Sequence, residues 1–401
     1  MEICNESQCS GCYACVNICP KKAIIMVENS LSEIHPEIDE EKCVNCGLCK
    51  KVCPQNCVPP KQTALKCYAA FSKNFADRMD SASGGIGTLL HRTFLTHDNA
   101  VGYSVRWDQN FNAVYCRNND ISNIDCFRGS KYVQSQMMDV PKQIASDLKK
   151  GLNVLFIGLP CHVAGLLNFL NLRNIDCSKL VTVDLLCHGV CPASYLHQEI
   201  EYMKSKSKLR TIQNITFRSN RKFRSFHICM DGTTAHGRSY CLNKYSDTDY
   251  YFRGFLQDGT TLRESCYHCK FAEPSRVADI SIGDFIGLGK DPQYVPYESD
   301  QKNISVVLCN SEKGVRTYQS IIKHLNSVER FPEEAFQSCP ALRKPYEKGI
   351  YRDEFIKRYA ETGDFIKSAK MAYGDKIRES RIRLLPKELV ISVLTNILRK
   401  Y

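Results

Sequence analysis

The chain has 401 residues, 23 of them cysteine, and a formal net charge of +11. That length is ample for two or three domains, the ordinary charged and apolar fractions speak against disorder, collagen and coiled coil, and the lack of an apolar run of about 18 residues predicts no transmembrane helix. The charge suits an acidic redox protein, an acidic membrane surface or nucleic acid; nucleic acid ranks last, because helix-turn-helix, zinc-finger and RNA-reading signatures are missing.

Cysteine in excess means disulfides, metal or catalysis. The first residues, MEICNESQCSGC, have neither a basic start nor an apolar run, so no signal peptide is expected. An odd cysteine count also fits a disulfide framework poorly. Metal in a reducing cytoplasm is the expectation.

Residues 9–20 (CSGCYACVNICP) and 43–54 (CVNCGLCKKVCP) both carry the C-x2-C-x2-C-x3-C-P run of bacterial two-cluster ferredoxins. Three close cysteines wrap one face of a cubane, and the fourth, before proline, lies too far along to close on it. Cys9, Cys12, Cys15 and Cys53 are therefore assigned to one [4Fe–4S] cluster, and Cys43, Cys46, Cys49 and Cys19 to a second. A pair of zinc sites is the rival reading. Residues 22–27 (KAIIMV) predict a short strand, Cys4 and Cys57 read as spare surface thiols, and 55–66, with Pro59 and Pro60, reads as a linker.

Residues 81–94 (SASGGIGTLLHRTF) read as a turn feeding a helix, capped by Ser81 or Ser83, whose free amides suit a phosphate. Residues 100–107 and 112–117 predict strands paired across Asp108–Asn110. Residues 153–159 (NVLFIGL) and 180–186 (LVTVDLL) read as buried parallel strands, followed by helices at 162–172 and 194–206, a doubly wound pattern. Adjacent strands would put Cys161 and Cys187 at the carboxyl edge, where open parallel sheets place ligands. With the CYHC pair they make four thiolates, Cys161, Cys187, Cys266 and Cys269, the number a third cluster needs. Alternatively, Cys161 and Cys187 are buried small apolar residues. Strands are also expected at 214–218, 226–230, 278–282 and 304–309, and a helix at 312–325. The tail, 345–401, reads as helical and basic. Its amphipathic end, 387–401, would pack on the body or a second subunit in a homo-oligomer, or lie on a membrane surface.

Six segments in order, SASGG at 81–85, RGSKYVQS at 128–135, GLPCHVAGL at 158–166, DLLCHG at 184–189, CYHCKF at 266–271 and DISIGDFIG at 279–287, resemble the coenzyme F420 hydrogenase/dehydrogenase beta-subunit family from about residue 65 to residue 325. The resemblance implies an α/β flavin-binding domain with a mixed, partly parallel sheet behind the α+β ferredoxin module. The boundaries are 1–60 for the module, 65–150 and 151–330 for the two parts of that domain, and 345–401 for the tail. It also implies FAD beside a third [4Fe–4S] cluster held by Cys161, Cys187, Cys266 and Cys269, with the flavin exchanging hydride with coenzyme F420 or another organic substrate. Carried over by motif, Ser81, Ser83, Gly84 and Gly85 lie on the FAD diphosphate; Arg128, Gly129, Ser130 and Lys131 line the flavin pocket; Asp279, Gly283 and Asp284 form the other wall. Lys131, a cation beside the ring, is the catalytic, potential-tuning candidate. His162 stands where many members have glutamine, and His188 reads as structural. Neither the nicotinamide glycine fingerprint, nor a P-loop, nor a radical-SAM run is present. The implied function is a cytoplasmic iron–sulfur flavoenzyme served by a ferredoxin or flavodoxin; the rivals are a non-catalytic electron-transfer subunit and a zinc scaffold.

Overall fold

The repeat written in the two cysteine runs is also a backbone repeat. Gly11 and Asn45 adopt φ of +62° and +53° at equivalent positions. Tyr13 and Gly47 (φ +62° and +72°) then start the single-turn helices α1 (Ala14–Ile18) and α2 (Leu48–Val52). Cys19 and Cys53 end them in matching extended conformations. Between the helices, β1 (Ile24–Glu28) and β2 (Ile34–Ile38) pair antiparallel, Ile24 opposite Ile38. The computed structural model describes residues 2–218, 226–289 and 304–398, with side chains described as far as residue 384.

The body continues with β3 (Lys66–Ser72), α3 (Phe75–Met79), α4 (Ile86–Phe94), β4 (Ala100–Trp107), β5 (Ala113–Asn118), α5 (Val140–Lys149), β6 (Asn153–Gly158), α6 (Pro160–Leu172), β7 (Leu180–Leu185) and α7 (Ala193–Ser205). A three-stranded antiparallel insert follows, made of β8 (Leu209–Thr216), β9 (His227–Thr234) and β10 (Ser239–Tyr245). The turn α8 (Tyr250–Phe252) leads back to β11 (Ile280–Asp284), β12 (Ser305–Cys309), α9 (Glu312–Ile321), β13 (Leu325–Arg330), α10 (Pro332–Ser338), α11 (Arg352–Thr362) and α12 (Phe365–Leu398).

The large sheet has eight strands in the order β13-β3-β12-β11-β7-β6-β4-β5. Its centre, β11, β7, β6 and β4, is parallel, and its flanks are antiparallel. Both faces are covered, which is why β6 is apolar from Val154 to Ile157 and why the few polar residues of β7 and β11, Thr182, Asp184 and Ser281, are buried. Val154 and Phe156 face α5, α6 and the N-terminal module, while Leu155 and Ile157 face α4 and α9. The insert has its own aromatic core with α7, α11 and α12, built around Phe217, Tyr251, Phe252, Phe355 and Phe365.

The mixed α/β fold and the central strands match the expectation. Four strands, β2, β3, β10 and β13, were not anticipated. β3 carries no turn markers and looks bland, yet it is buried from Cys67 to Ser72 because β12 and β13 pair on either side of it. β8 begins earlier than expected because bulges at Leu209/Thr211 and Ile212/Asn214 break its alternation. The 55–66 segment is no loose linker: Gln62 and Arg276 exchange two backbone hydrogen bonds of 2.8 Å. The helical backbone of the tail runs to Leu398, but the face expected of 387–401 lies outside the described side chains.

Candidate functional site

The two cysteine runs close on two small pockets. Cys9, Cys12, Cys15 and Cys53 line one, and Cys19, Cys43, Cys46 and Cys49 line the other. The first set is buried, whereas Cys46 of the second is exposed. Burial pushes the Cys12 thiol up to about 12 and Cys15 well above its usual value. Cys9 and Cys53 are instead lowered, chiefly by hydrogen bonds from Cys4; iron supplies the charge that makes thiolates of all four, so the donor set fits a cluster. Among the described residues no three His, Cys, Asp or Glu are spaced for a single metal ion. Cys4 departs from expectation. It is half-buried, lines the first pocket and hydrogen-bonds to Cys53 and Cys9, so it is not a surface thiol. Cys57 is exposed, as expected.

A cavity of about 1050 Å³ opens at the carboxyl edge of the parallel strands. Gly158 of β6 stands beside Asp184 of β7, so the residues that follow both strands emerge together. Cys161 in the first turn of α6, Cys187, Cys266 and Cys269 all line this cavity. Burial raises all four thiols, Cys187 to about 12, and Cys161, Cys187 and Cys266 each also feel Cys269.

Another wall of the same cavity is the turn before α4. Ser81, Ser83 and Gly85 line it. A Cβ on Gly84 would lie 2.5 Å from the Ala70 carbonyl oxygen, so only glycine fits there. Gly85 takes φ +81° to start the helix. The Gly84 amide donates to Ser305 Oγ (2.9 Å), and Ser305 donates to Ser83 Oγ (3.0 Å). The loop Gly129, Ser130 and Lys131 and the strand end Gly283 and Asp284 complete the lining. A narrow turn at a helix start with small residues and free amides fits a diphosphate.

Three expected residues are elsewhere, and the first is Gly84, which does not line the cavity and whose amide is held by Ser305. Arg128 is not among the lining residues; its guanidinium is held by Asp77, Asp80 and Asp125 at 3.0, 3.0 and 2.6 Å. Asp279 precedes β11, whereas Asp284 ends it, about 16 Å further along an extended strand. There Asp279 accepts from the Thr182 amide and hydroxyl (both 2.9 Å) and from Ser311 (2.6 Å), tying β7 to α9.

Residues 151–330 match the family model for the C terminus of the coenzyme F420 hydrogenase/dehydrogenase beta subunit, and residues 8–57 match the 4Fe-4S dicluster domain. Residues 151–330 are thus similar to the C-terminal domain of that beta-subunit family, and they follow a 4Fe-4S dicluster domain. The chain is an iron–sulfur redox protein of electron transfer. No curated protein matches it. Among solved structures, a chain of the F420-reducing [NiFe] hydrogenase complex from Methanosarcina barkeri (a xenon-derivatised form) is 16% identical, over 78% of this chain and 92% of that one, with a TM-score of 0.42. No described helix is long and apolar enough to cross a membrane.

Lys131 Nζ donates to the carbonyls of Arg128 (3.1 Å) and Gly129 (3.3 Å), and burial lowers its pKa to about 8. Arg218 pairs with Asp284 at 2.6 Å on the opposite wall. His162 is buried with its ring 3.0 Å from the Tyr115 hydroxyl, and burial together with the Arg263 charge keeps it neutral; His188, in the cavity lining, has Nε2 3.1 Å from the Phe255 carbonyl oxygen. Sequence reasoning missed the outer wall, residues 340–341 and 343–351, because it lies beyond the matched family region and carries no motif. It also missed Arg263, whose burial no local pattern announces.

Proposed function

We propose that the chain is a cytoplasmic iron–sulfur flavoenzyme. It passes single electrons between a ferredoxin or flavodoxin and FAD, and exchanges electron pairs with coenzyme F420 or another organic substrate. The observation that carries this reading is one cavity lined both by the Ser81–Gly85 turn and by Cys161, Cys187, Cys266 and Cys269, with the cysteine-rich module packed behind it. When bound, FAD converts between paired and single electrons and the [4Fe–4S] clusters carry the single ones.

The chain's own residues have separable tasks. Ser83, Gly85 and the first amides of α4 receive the FAD diphosphate, and Gly84, packed on β3 with its amide on Ser305, holds the turn in place. Cys161, Cys187, Cys266 and Cys269 hold the inner cluster, Cys9, Cys12, Cys15 and Cys53 the middle one, and Cys19, Cys43, Cys46 and Cys49 the outer one, nearest solvent. Lys131 stands in the wall as a buried amine that is charged below about pH 8 and favours negative charge beside it. The outer wall, with Tyr346 and Tyr351, limits water at the substrate end. The net charge of +11 favours an acidic carrier.

Anaerobically purified protein should be brown and should release FAD on acid treatment, with about twelve irons per chain from three four-iron clusters. Reduced ferredoxin or reduced F420 should bleach the flavin. About eight irons without FAD would favour a non-catalytic electron-transfer subunit. A colourless protein without labile sulfide would sink the reading.

A further inference from the structure

Among the described residues three arginines are buried: Arg263, Arg276 and Arg352, 1%, 2% and 3% exposed. Two have the carboxylate a buried cation needs. Arg276 meets Asp184 at 2.9 Å and Arg352 meets Glu264 at 2.8 Å. Arg263 has none within ion-pair range among the described residues. Its Nε donates to the Cys9 carbonyl (2.7 Å), one terminal nitrogen donates to the Ile34 carbonyl (2.7 Å), and the same nitrogen lies 3.3 Å from His35 Nε2. The nearby Glu33 feels the Arg263 charge without touching it: its carboxylate accepts from the Glu264 amide (2.8 Å) and faces His35 (3.5 Å).

A guanidinium out of water with carbonyls as its direct partners is costly unless an anion lies close. Arg263 lines the cavity that holds Cys161, Cys187, Cys266 and Cys269, and it grips the backbone of Cys9 in the first pocket. Its charge reaches both Cys9 and Cys266. Glu33 supplies charge nearby but no direct ion pair, and the two thiolate-bound clusters would bring further negative charge to the guanidinium.

We propose that Arg263 is a positioning residue shared by the middle and inner clusters: it fastens the N-terminal module to the cavity and raises the reduction potentials of both clusters together. A reduced cluster carries one more negative charge, and a buried cation favours that form. The proposal rests on the cluster assignment above, and the test separates the two.

The test is an anaerobic redox titration of the full-length protein, followed by electron paramagnetic resonance, in native, Arg263→Gln and Arg263→Lys forms, with iron and sulfide counted in each. Arg263→Gln should shift two of the three cluster potentials downward and leave the third, at Cys19, Cys43, Cys46 and Cys49, in place. Arg263→Lys, which keeps the charge but moves it, should shift the same two in the same direction by less. If the Gln form does not hold its irons, the Lys form decides alone: paired movement supports the proposal, and no movement overturns it. Full iron with unmoved potentials in the Gln form, or all three moving alike, also overturns it. Native protein with fewer than three clusters refutes the cluster assignment instead.

Discussion

Gly165 on α6 lies against Cys12: a Cβ at position 165 would stand 3.0 Å from the Cys12 Sγ and 3.3 Å from the Ala14 Cβ. Cys161 is four residues earlier on the same helix, hence on the same face. A glycine in mid-helix thus lets the first cysteine pocket sit one turn from the inner set. Alanine normally favours a helix over glycine by about 1 kcal/mol, but overpacking costs about 1–3 kcal/mol. Gly165→Ala should therefore be neutral to destabilising, and Gly165→Leu clearly destabilising. Thermal unfolding and iron counts on both variants check this. A Gly165→Leu chain with native melting temperature and native iron would show that the close approach is unimportant.

Cys161→Ala should remove one cluster and leave two, taking the iron count from about twelve to about eight. The same loss should follow from Cys266→Ala, because both thiols line the one cavity. An unchanged iron count in either variant would mean that the inner assignment is wrong.

Gly84→Ala places a methyl 2.5 Å from the Ala70 carbonyl oxygen and 3.0 Å from Ser305 Oγ. The neighbour is backbone of β3, which cannot yield without disturbing the sheet. The turn should be displaced and FAD lost, at a cost of about 1–3 kcal/mol in stability. The distant module cysteines should keep their iron. Acid-released flavin and iron measured on one sample separate these effects; full FAD occupancy contradicts the assignment of the turn.

What was legible in the sequence followed the range over which its signals act. The cysteine runs are local, and their spacing alone groups the residues that line each module pocket. The parallel strands at β6 and β7 announce themselves by near-continuous apolar character. β3 and Arg263 are different: each is defined by partners far along the chain, β12 and β13 for the strand, Cys9 and Ile34 for the arginine. Cys4 looked spare because it lies outside the repeat, yet the chain folds it back onto Cys9 and Cys53. Arg128 and Asp279 sit in recognisable motifs, but their side chains are spent on holding the scaffold.

Lys131 carries the pH prediction. Burial lowers its pKa from 10.5 to about 8 in the folded chain. Between those values the unfolded chain binds more protons, so stability rises with pH across that window. The cost is full below about pH 8 and gone above the unfolded value; at 1.36 kcal/mol per unit it amounts to roughly 3 kcal/mol at most. Lys131→Met should accordingly stabilise the cofactor-free chain at pH 7, with the gain fading towards pH 10. In the loaded protein the same substitution should lower the flavin potential and remove the change of slope near pH 8 that the lysine adds to the flavin's own proton-coupled slope, because the removed ammonium is the charge that favours the reduced ring. Denaturant melts across pH and a flavin potential titration measure the two effects. A flavin potential with unaltered pH dependence in Lys131→Met would remove this lysine from any role beside the ring.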